Sequence, residues 1–192
     1  MMKTFYWTFT TLVVGLTLAI SPARAQQNIN CTTQLTSGTF NNVSVPRNAT
    51  CILNGPVKVE GNVSVAAGAT LDTESASIDG SILANGAALI FIDSSSIDKN
   101  INAAGTTRVE VFGSLVDGNI TVSGASFIAI TTDSVGGNVN DSMNNTGTGN
   151  TNIISGNIIG GNLVCAGNTP PPTNNGSANT VAGNEVGQCA GL

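Results

Sequence analysis

The chain has no histidine among its 192 residues, and charged side chains make up only 9% of it. Without histidine, neither a Ser-His-Asp triad nor a Cys-His pair can form, and a metal site with a histidine ligand is excluded. The sequence therefore shows no sign of hydrolytic or zinc-dependent chemistry of these kinds. We expect a protein that is not an enzyme.

Basic residues are also scarce, and two of the six stand in an N-terminal segment typical of a secretory signal peptide. Lys3 provides a positive start, an apolar run follows, and small residues precede a cleavage point after Ala25. The alternative is an uncleaved membrane anchor, for which the apolar run is short. We predict a signal peptide over residues 1–25 and a mature chain without a transmembrane segment.

The mature chain keeps four basic residues against all eleven acidic ones, which is a formal charge of −7. Proteins bind nucleic acids largely by neutralising phosphates with lysine and arginine, so we expect no nucleic-acid partner. Few segments favour helix, whereas Ile, Val and Leu recur at regular intervals among Gly, Asn, Ser and Thr. The regular apolar spacing predicts a folded core despite the polar composition.

The mature chain repeats with a 19-residue period, and internal repeats of this kind indicate a solenoid. Ungapped coils begin at Gly61, Gly80, Lys99 and Gly118, degenerate coils are predicted from Gly137 and Gly156, and a 20-residue step leads in from Asn41. Apolar residues fill the third, eleventh, thirteenth and eighteenth positions and alternate with polar ones, as short strands require. The predicted third column is Val63, Ile82, Ile101, Ile120, Val139 and Ile158, and the predicted eighteenth is Ile78, Ile97, Val116, Val135 and Ile154.

Three turn signals separate three short strands in each coil. We therefore predict an all-β fold, a single-stranded parallel β-helix (β-solenoid) with triangular 19-residue coils, right-handed being the favoured hand. Residues 26–60 would form an N-terminal cap and first coil, residues 61–155 the regular coils, and residues 156–192 a disulfide-closed C-terminal cap.

One corner of the coil carries a Gly-Asn pair. The asparagines are predicted to be Asn62, Asn100, Asn119, Asn138 and Asn157, with Ser81 as an exception. Stacked asparagine side chains can hydrogen-bond along a corner from one coil to the next. The glycine before each is expected to need positive φ, and Lys99 breaks that glycine column.

The four cysteines fit the coil geometry. The sequence separation of Cys31 and Cys51 is 20, which is one coil step, so they should lie one above the other. Cys165 and Cys189 are separated by one coil and five further residues, which a loop around Pro170–Pro172 would contain. We predict these two disulfides, one at each end, and hence a secreted, periplasmic or cell-surface protein.

An acidic column precedes the Gly-Asn corner and consists of Glu60, Asp79, Asp98 and Asp117. Stacked carboxylates repel each other, so a counter-charge, a hydrogen bond or solvent must offset the repulsion. The favoured interpretation is that each accepts backbone hydrogen bonds from its own turn, with water screening the rest. The alternative is that calcium bridges neighbouring carboxylates, and calcium is the only cofactor that the sequence suggests.

A second candidate site lies on the outer side of the second strand. Alternation places there Leu89, Phe91, Arg108, Phe112 and Phe127. Aromatic side chains exposed on a flat sheet favour a partner surface, either for self-association or for a cell-surface glycan. The alternative is cross-strand packing that only shields the sheet.

The rhythm V-x-G-N-V/I-x-V … G-A-x-L/I-x-I, from about Val57 to Val139, resembles that of bactofilins, the polymer-forming β-helical scaffold proteins of bacteria. The tail GGNLVCAGNTPPPTNNGSANTVAGNEVGQCAGL is similar to the endings of secreted bacterial β-helix proteins. The resemblance implies a scaffold, so we expect a secreted, non-enzymatic structural or adhesive β-solenoid of the cell envelope or extracellular space. The alternative is a carbohydrate-binding or carbohydrate-active β-helix. A polysaccharide-acting enzyme is less favoured, because Lys99 and Arg108 are the only bases near the acids and no long loops would wall a cleft.

Overall fold

The computed structural model describes residues 27–147 and 151–192, so the predicted signal peptide lies outside the described residues. The described residues form strands and turns without any helix, and they build a parallel β-solenoid of about eight turns, which confirms the predicted fold class. In this part of the chain, no helix with the length and apolarity of a membrane span occurs.

The strands form three faces of a prism. Face 1 consists of Gln27–Asn30, the second half of Gly38–Val45, Val63–Val65, Ile82–Asn85, Ile101–Ala104, Ile120–Ser123, Val139–Ser142, Leu163–Ala166 and Glu185–Gly187. Face 2 consists of Gln34–Leu35, Thr50–Asn54, Thr70–Glu74, Leu89–Asp93, Arg108–Phe112, Phe127–Thr131 and Asn152–Ser155. Face 3 consists of the first half of Gly38–Val45, Val57–Val59, Ser77–Ile78, Ser96–Ile97, Leu115–Val116, Ser134–Val135, Ile158–Ile159 and Thr180–Val181. Faces 1 and 3 form one sheet, because Gly38–Val45 pairs on both.

The core fills the inside of the prism with aliphatic side chains. On face 2, Ile90, Val109 and Ile128 stack in register through consecutive strand pairings and are fully buried. Their sequence neighbours point outward, because successive side chains of a strand alternate between its two sides. The predicted apolar columns are therefore confirmed between Gly61 and Gly136.

Beyond Gly137 the coil lengthens, and there the predicted register was wrong. Val139 pairs with Leu163, so the next coil begins at Gly161, five positions later than the predicted start at Gly156. Gly156 instead takes a φ of +66° at the corner between faces 2 and 3. The five extra residues lie between the face 1 strand and the face 2 strand of this coil. They shift the register of every later strand by five positions.

Two predicted column members consequently change place. Ile158 pairs with Ser134 on face 3 and points outward, with 61% of its surface exposed. Ile154 pairs with Ile130 and belongs to the thirteenth column. The buried residue of the eighteenth column in this coil is Ile159.

The asparagine ladder at the Gly-Asn corner is confirmed and spans all the coils from the second onward. Its members are Asn42, Asn62, Ser81, Asn100, Asn119, Asn138, Asn162 and Asn184. Each side-chain oxygen accepts the backbone N–H of the next member, at distances from 2.7 Å (Asn162 to Asn138) to 3.2 Å (Asn100 to Ser81). Asn157, which the shorter register placed here, lies at another corner.

The glycines of this corner are needed for close approach, and the predicted positive φ was wrong. Gly61 and Gly80 do not have positive φ, but a Cβ at Gly80 would clash with the carbonyl oxygen of Gly61. Lys99, the exception in this column, has no positive φ either. Positive φ occurs at the next corner, between faces 1 and 2, where Gly86 has a φ of +68°.

Both predicted disulfides are present, one near each end of the described solenoid. The Cα atoms of Cys31 and Cys51 are 5.3 Å apart, and those of Cys165 and Cys189 are 5.2 Å apart. Each bridge joins consecutive coils, since Gln34, near Cys31, pairs with Ile52, and Cys165 pairs with Gly187, which is close to Cys189. Two disulfides indicate an oxidising, extracytoplasmic environment.

Candidate binding face and buried carboxylates

The five predicted binding residues lie next to one another on the outer side of face 2, and we call them the aromatic patch. Leu89 pairs with Arg108, and Arg108 pairs with Phe127, so these three form one column across three strands. Phe91 and Phe112 lie on the same strands in the neighbouring outward columns. Arg108 is exposed, and the other four are half-buried.

Contacts within the aromatic patch turn it into a packed layer. The ring centroids of Phe91 and Phe112 are 5.7 Å apart with an interplanar angle of 52°, which is a favourable tilted geometry. The guanidinium carbon of Arg108 lies 3.9 Å from the ring centroid of Phe127, a cation–π contact. Arg108 also forms an ion pair with Glu110, which is buried beneath this layer. The patch therefore presents rings held in fixed orientations.

Carboxylates border the aromatic patch on the side of the earlier coils. Asp72 pairs with Phe91, and Glu74 pairs with Asp93, so three acids lie within two strands. Burial raises the pKa of Asp72, and the charges of Glu74 and Asp93 raise it further. Glu74 is held by the Asn54 amide, whose Nδ2 donates to its Oε2 at 2.9 Å. Aromatic rings beside hydrogen-bond acceptors can take a ligand that has an apolar face and hydroxyl groups.

The acidic column lies on the face 3 side of the Gly-Asn corner, mostly exposed to water. Asp79 forms an ion pair with Lys58 at 3.0 Å, and this contact raises the pKa of Lys58. Asp98 and Asp117 are exposed to water, and whether their own turns donate hydrogen bonds to them stays a prediction. Across residues 27–147 and 151–192, no three acidic or cysteine side chains converge as a metal site would require. Lys58 thus offsets the charge of Asp79, and the other three acids of the column are exposed to water.

A second ladder, which the sequence reasoning missed, runs along the corner between faces 2 and 3. Its members are Ser95, Ser114, Asp133, Asn157 and Asn179. In this ladder each side-chain oxygen accepts the backbone N–H of the equivalent residue one coil earlier. In the asparagine ladder the N–H comes from one coil later, so the two ladders run in opposite directions. Asp133 accepts the Ser114 N–H at 2.8 Å, and the Asn157 side chain accepts the Asp133 N–H at 2.9 Å.

Asp133 is the one carboxylate in this second ladder, and it is only 2% exposed. Burial raises its pKa to about 7, even though backbone hydrogen bonds from Ser114 and Thr131 lower it. Its second oxygen, Oδ2, is buried without a hydrogen-bond partner. The sequence analysis did not single out Asp133, and its 19-residue alignment with Ser95 and Ser114 was the signal that could have revealed the ladder.

A further buried carboxylate, Asp141, points into the core from face 1 and was also missed. Side-chain amides donate to it from Asn144 at 2.6 Å, from Asn152 at 3.0 Å and from Asn168 at 2.8 Å. Burial raises its pKa to about 6, although the hydrogen bonds from Asn152 and Asn144 lower it. Val122 fills the same position in the preceding coil, so an acid in an apolar column was the available signal. The cluster connects the lengthened coil to the coil that follows it.

No protein-family model, no curated protein and no solved structure matches the chain. Strand register and burial alone therefore define its class, a disulfide-bonded parallel β-solenoid.

Proposed function

We propose that the chain is a secreted, non-enzymatic structural or adhesive β-solenoid of the cell envelope or extracellular space, with the aromatic patch as its binding surface. The observation that carries this proposal is the position of Phe91, Phe112 and Phe127 on the outer side of one sheet. Phe40 is the only other aromatic residue beyond the predicted signal peptide. Three of the four aromatics beyond the predicted signal peptide lie on one outward surface, and such a cluster supports a partner surface.

The rigidity of the patch supports a binding role. Each strand that bears an aromatic is paired on both sides in parallel register, and Phe112 contacts Phe91 while Arg108 covers Phe127. Side chains already fixed in one arrangement lose little conformational entropy when a partner binds. The predicted signal peptide and the two disulfides support secretion, and the bactofilin-like rhythm supports a scaffold role.

The alternative function, carbohydrate binding, is favoured by the carboxylates around Phe91. Phe91 pairs with Asp72 on the neighbouring strand, and Glu74 and Asp93 lie on the same two strands. An aromatic ring can pack against the apolar face of a sugar while carboxylates accept its hydroxyl hydrogens. A carbohydrate-active enzyme remains the less favoured form of this alternative.

The test measures the mature protein on a glycan array and by sedimentation. Its variants are F91S/F127S on face 2 and, as a matched control, L115S on the outer side of face 3. We expect F91S/F127S to weaken glycan binding or self-association through the patch about tenfold or more, and L115S to leave both unchanged. Oligomers without glycan binding would favour the scaffold, and glycan binding would favour the carbohydrate alternative. Neither oligomers nor binding, or equal behaviour of the two variants, would overturn the proposal.

A further inference from the structure

Face 1 differs from the rest of the solenoid because its outer side carries almost no charge. Its main outward column includes Ser64, Leu83, Asn102, Thr121, Asn140 and Val164. The second outward column holds alanine, serine and asparagine, such as Ala104 and Ser123. Among the described strands of this face, the only acids are Asp141, which points into the core, and Glu185 in the last strand.

The other two faces are less suited than face 1 to contact with a second copy of this chain. Face 2 carries Asp72, Glu74 and Asp93 side by side, and two such surfaces would bring like charges together. Face 3 offers a single outward residue in most coils and is bordered by the acidic column. Since the chain carries an excess of acids over bases, face 1 is the surface where two copies meet with least repulsion.

The outer surface of face 1 also has a protruding side chain and a hollow, so the surfaces of two copies can fit together. Leu83 protrudes from the outer side with 40% of its surface exposed. A shallow, open hollow of about 260 Å³ has Leu83 itself as one wall and is further lined by Ser44, Ser64, Ala66 and Asn102. In a two-fold dimer the same surface occurs on both copies, so each protrusion meets the partner's hollow. Small side chains around the hollow allow the two sheets to approach closely.

The area of face 1 fits a weak dimer. Nine strands at about 4.8 Å spacing and about four residues of about 3.3 Å each describe a surface of roughly 500 Å². Two copies would bury roughly 1,000 Å² in total, which is the lower bound for a specific interface. Contact on this scale favours reversible association of the kind that a surface scaffold uses.

We propose that two copies of this chain associate face to face through face 1, with Leu83 of each seated in the hollow of the other. The two-fold axis runs along the solenoid, because this orientation keeps the acidic columns of the two copies on opposite sides of the interface. The inference rests on the proposed structural role and adds the surface and the partner. It leaves the aromatic patch on face 2 free for a different ligand.

The experiment is sedimentation equilibrium of the mature protein at concentrations up to about 200 µM. We expect a monomer–dimer equilibrium with a Kd of about 10–100 µM that tightens with added salt, because salt screens the repulsion between acidic chains. The variant L83E should weaken the dimer about tenfold or more, because it places a charge at the centre of each interface. The matched control L115E changes a leucine that is 45% exposed on face 3, and it should leave the dimer unchanged.

A wild-type protein that stays monomeric, or L83E and L115E variants that dimerise equally well, would overturn the inference. Thermal melts of both variants check folding, which should be retained since both leucines point outward. Glycan-array binding separates this inference from the proposed function. If the protein is monomeric but binds glycans through the aromatic patch, only the dimer proposal fails. If it dimerises but the F91S/F127S variant behaves as wild type, only the proposed role of the patch fails.

Discussion

Replacing Asp133 by asparagine should stabilise the protein at neutral and alkaline pH. Oδ1 of Asp133 accepts the Ser114 N–H, whereas Oδ2 is buried without a partner. One coil further along the same ladder, Nδ2 of Asn157 donates to the Ile130 carbonyl at 2.8 Å, which shows that an amide fits this corner. Asparagine at position 133 therefore keeps the acceptor oxygen of the ladder. It also replaces the unpartnered Oδ2 with an NH2 group that can donate a hydrogen bond, and it removes a buried charge.

The magnitude follows from the pKa of Asp133, which burial raises from 3.8 to about 7. Between these values the unfolded chain is ionised while the folded protein keeps its proton, so stability falls as the pH rises through this window. Above about pH 7 both states are ionised and the loss is complete, about 4 kcal/mol at 1.36 kcal/mol per pKa unit. We expect D133N to gain about that amount at pH 8 and almost nothing near pH 3.

Urea unfolding of the wild type and D133N from about pH 3 to about pH 8.5 measures this difference. The control is D117N, which makes the same chemical change at an exposed position and should shift the free energy of unfolding by less than about 0.5 kcal/mol. A gain that does not vary with pH, or no gain at pH 8, would refute the assignment of Asp133 as a buried, raised-pKa carboxylate.

Three further predictions concern the ladder, the first disulfide and the acidic column. N119A should lower the free energy of unfolding by about 1 kcal/mol in urea, because the Asn138 N–H loses its partly buried acceptor, and N119S should lose less. Removing the Cys31–Cys51 bridge with C31S/C51S should cost about 3 kcal/mol by the same measurement, given its 20-residue loop. Calcium at about 5 mM should leave the melting temperature unchanged, and a rise that D98N abolishes would show calcium binding at the column.

Strand alternation and coil length were sufficient to predict the regular part of the molecule. Ile90 and Val109 face inward and Phe91 and Phe112 face outward, because neighbours on a strand must alternate. Cys31 and Cys51 could be paired from sequence because their spacing equals one coil. The contact of Arg108 with Phe127 is a consequence of the same register, since residues one coil apart become neighbours in adjacent strands.

The register beyond Gly137 could not be predicted in this way, because two Gly-Asn pairs compete for the same corner. Gly156-Asn157 continues the 19-residue period, whereas Gly161-Asn162 continues the ladder in the folded protein. Closure of the coil decides between them, and closure depends on five extra residues that carry no pattern of their own. Asp141 was missed for a related reason, since its buried partners Asn144, Asn152 and Asn168 belong to this irregular part.

The asparagine ladder also bears on how such a chain can change its length over evolution. Every step of the ladder offers a side-chain oxygen as acceptor to the next coil, whichever coil that is. Deleting residues 99–117 would bring the Asn119 N–H onto the Ser81 hydroxyl oxygen and Ile120 onto Ile82, so every column would continue. Duplication or loss of one coil at a time is thus structurally silent, whereas a gain of half a coil would disrupt all three faces at once.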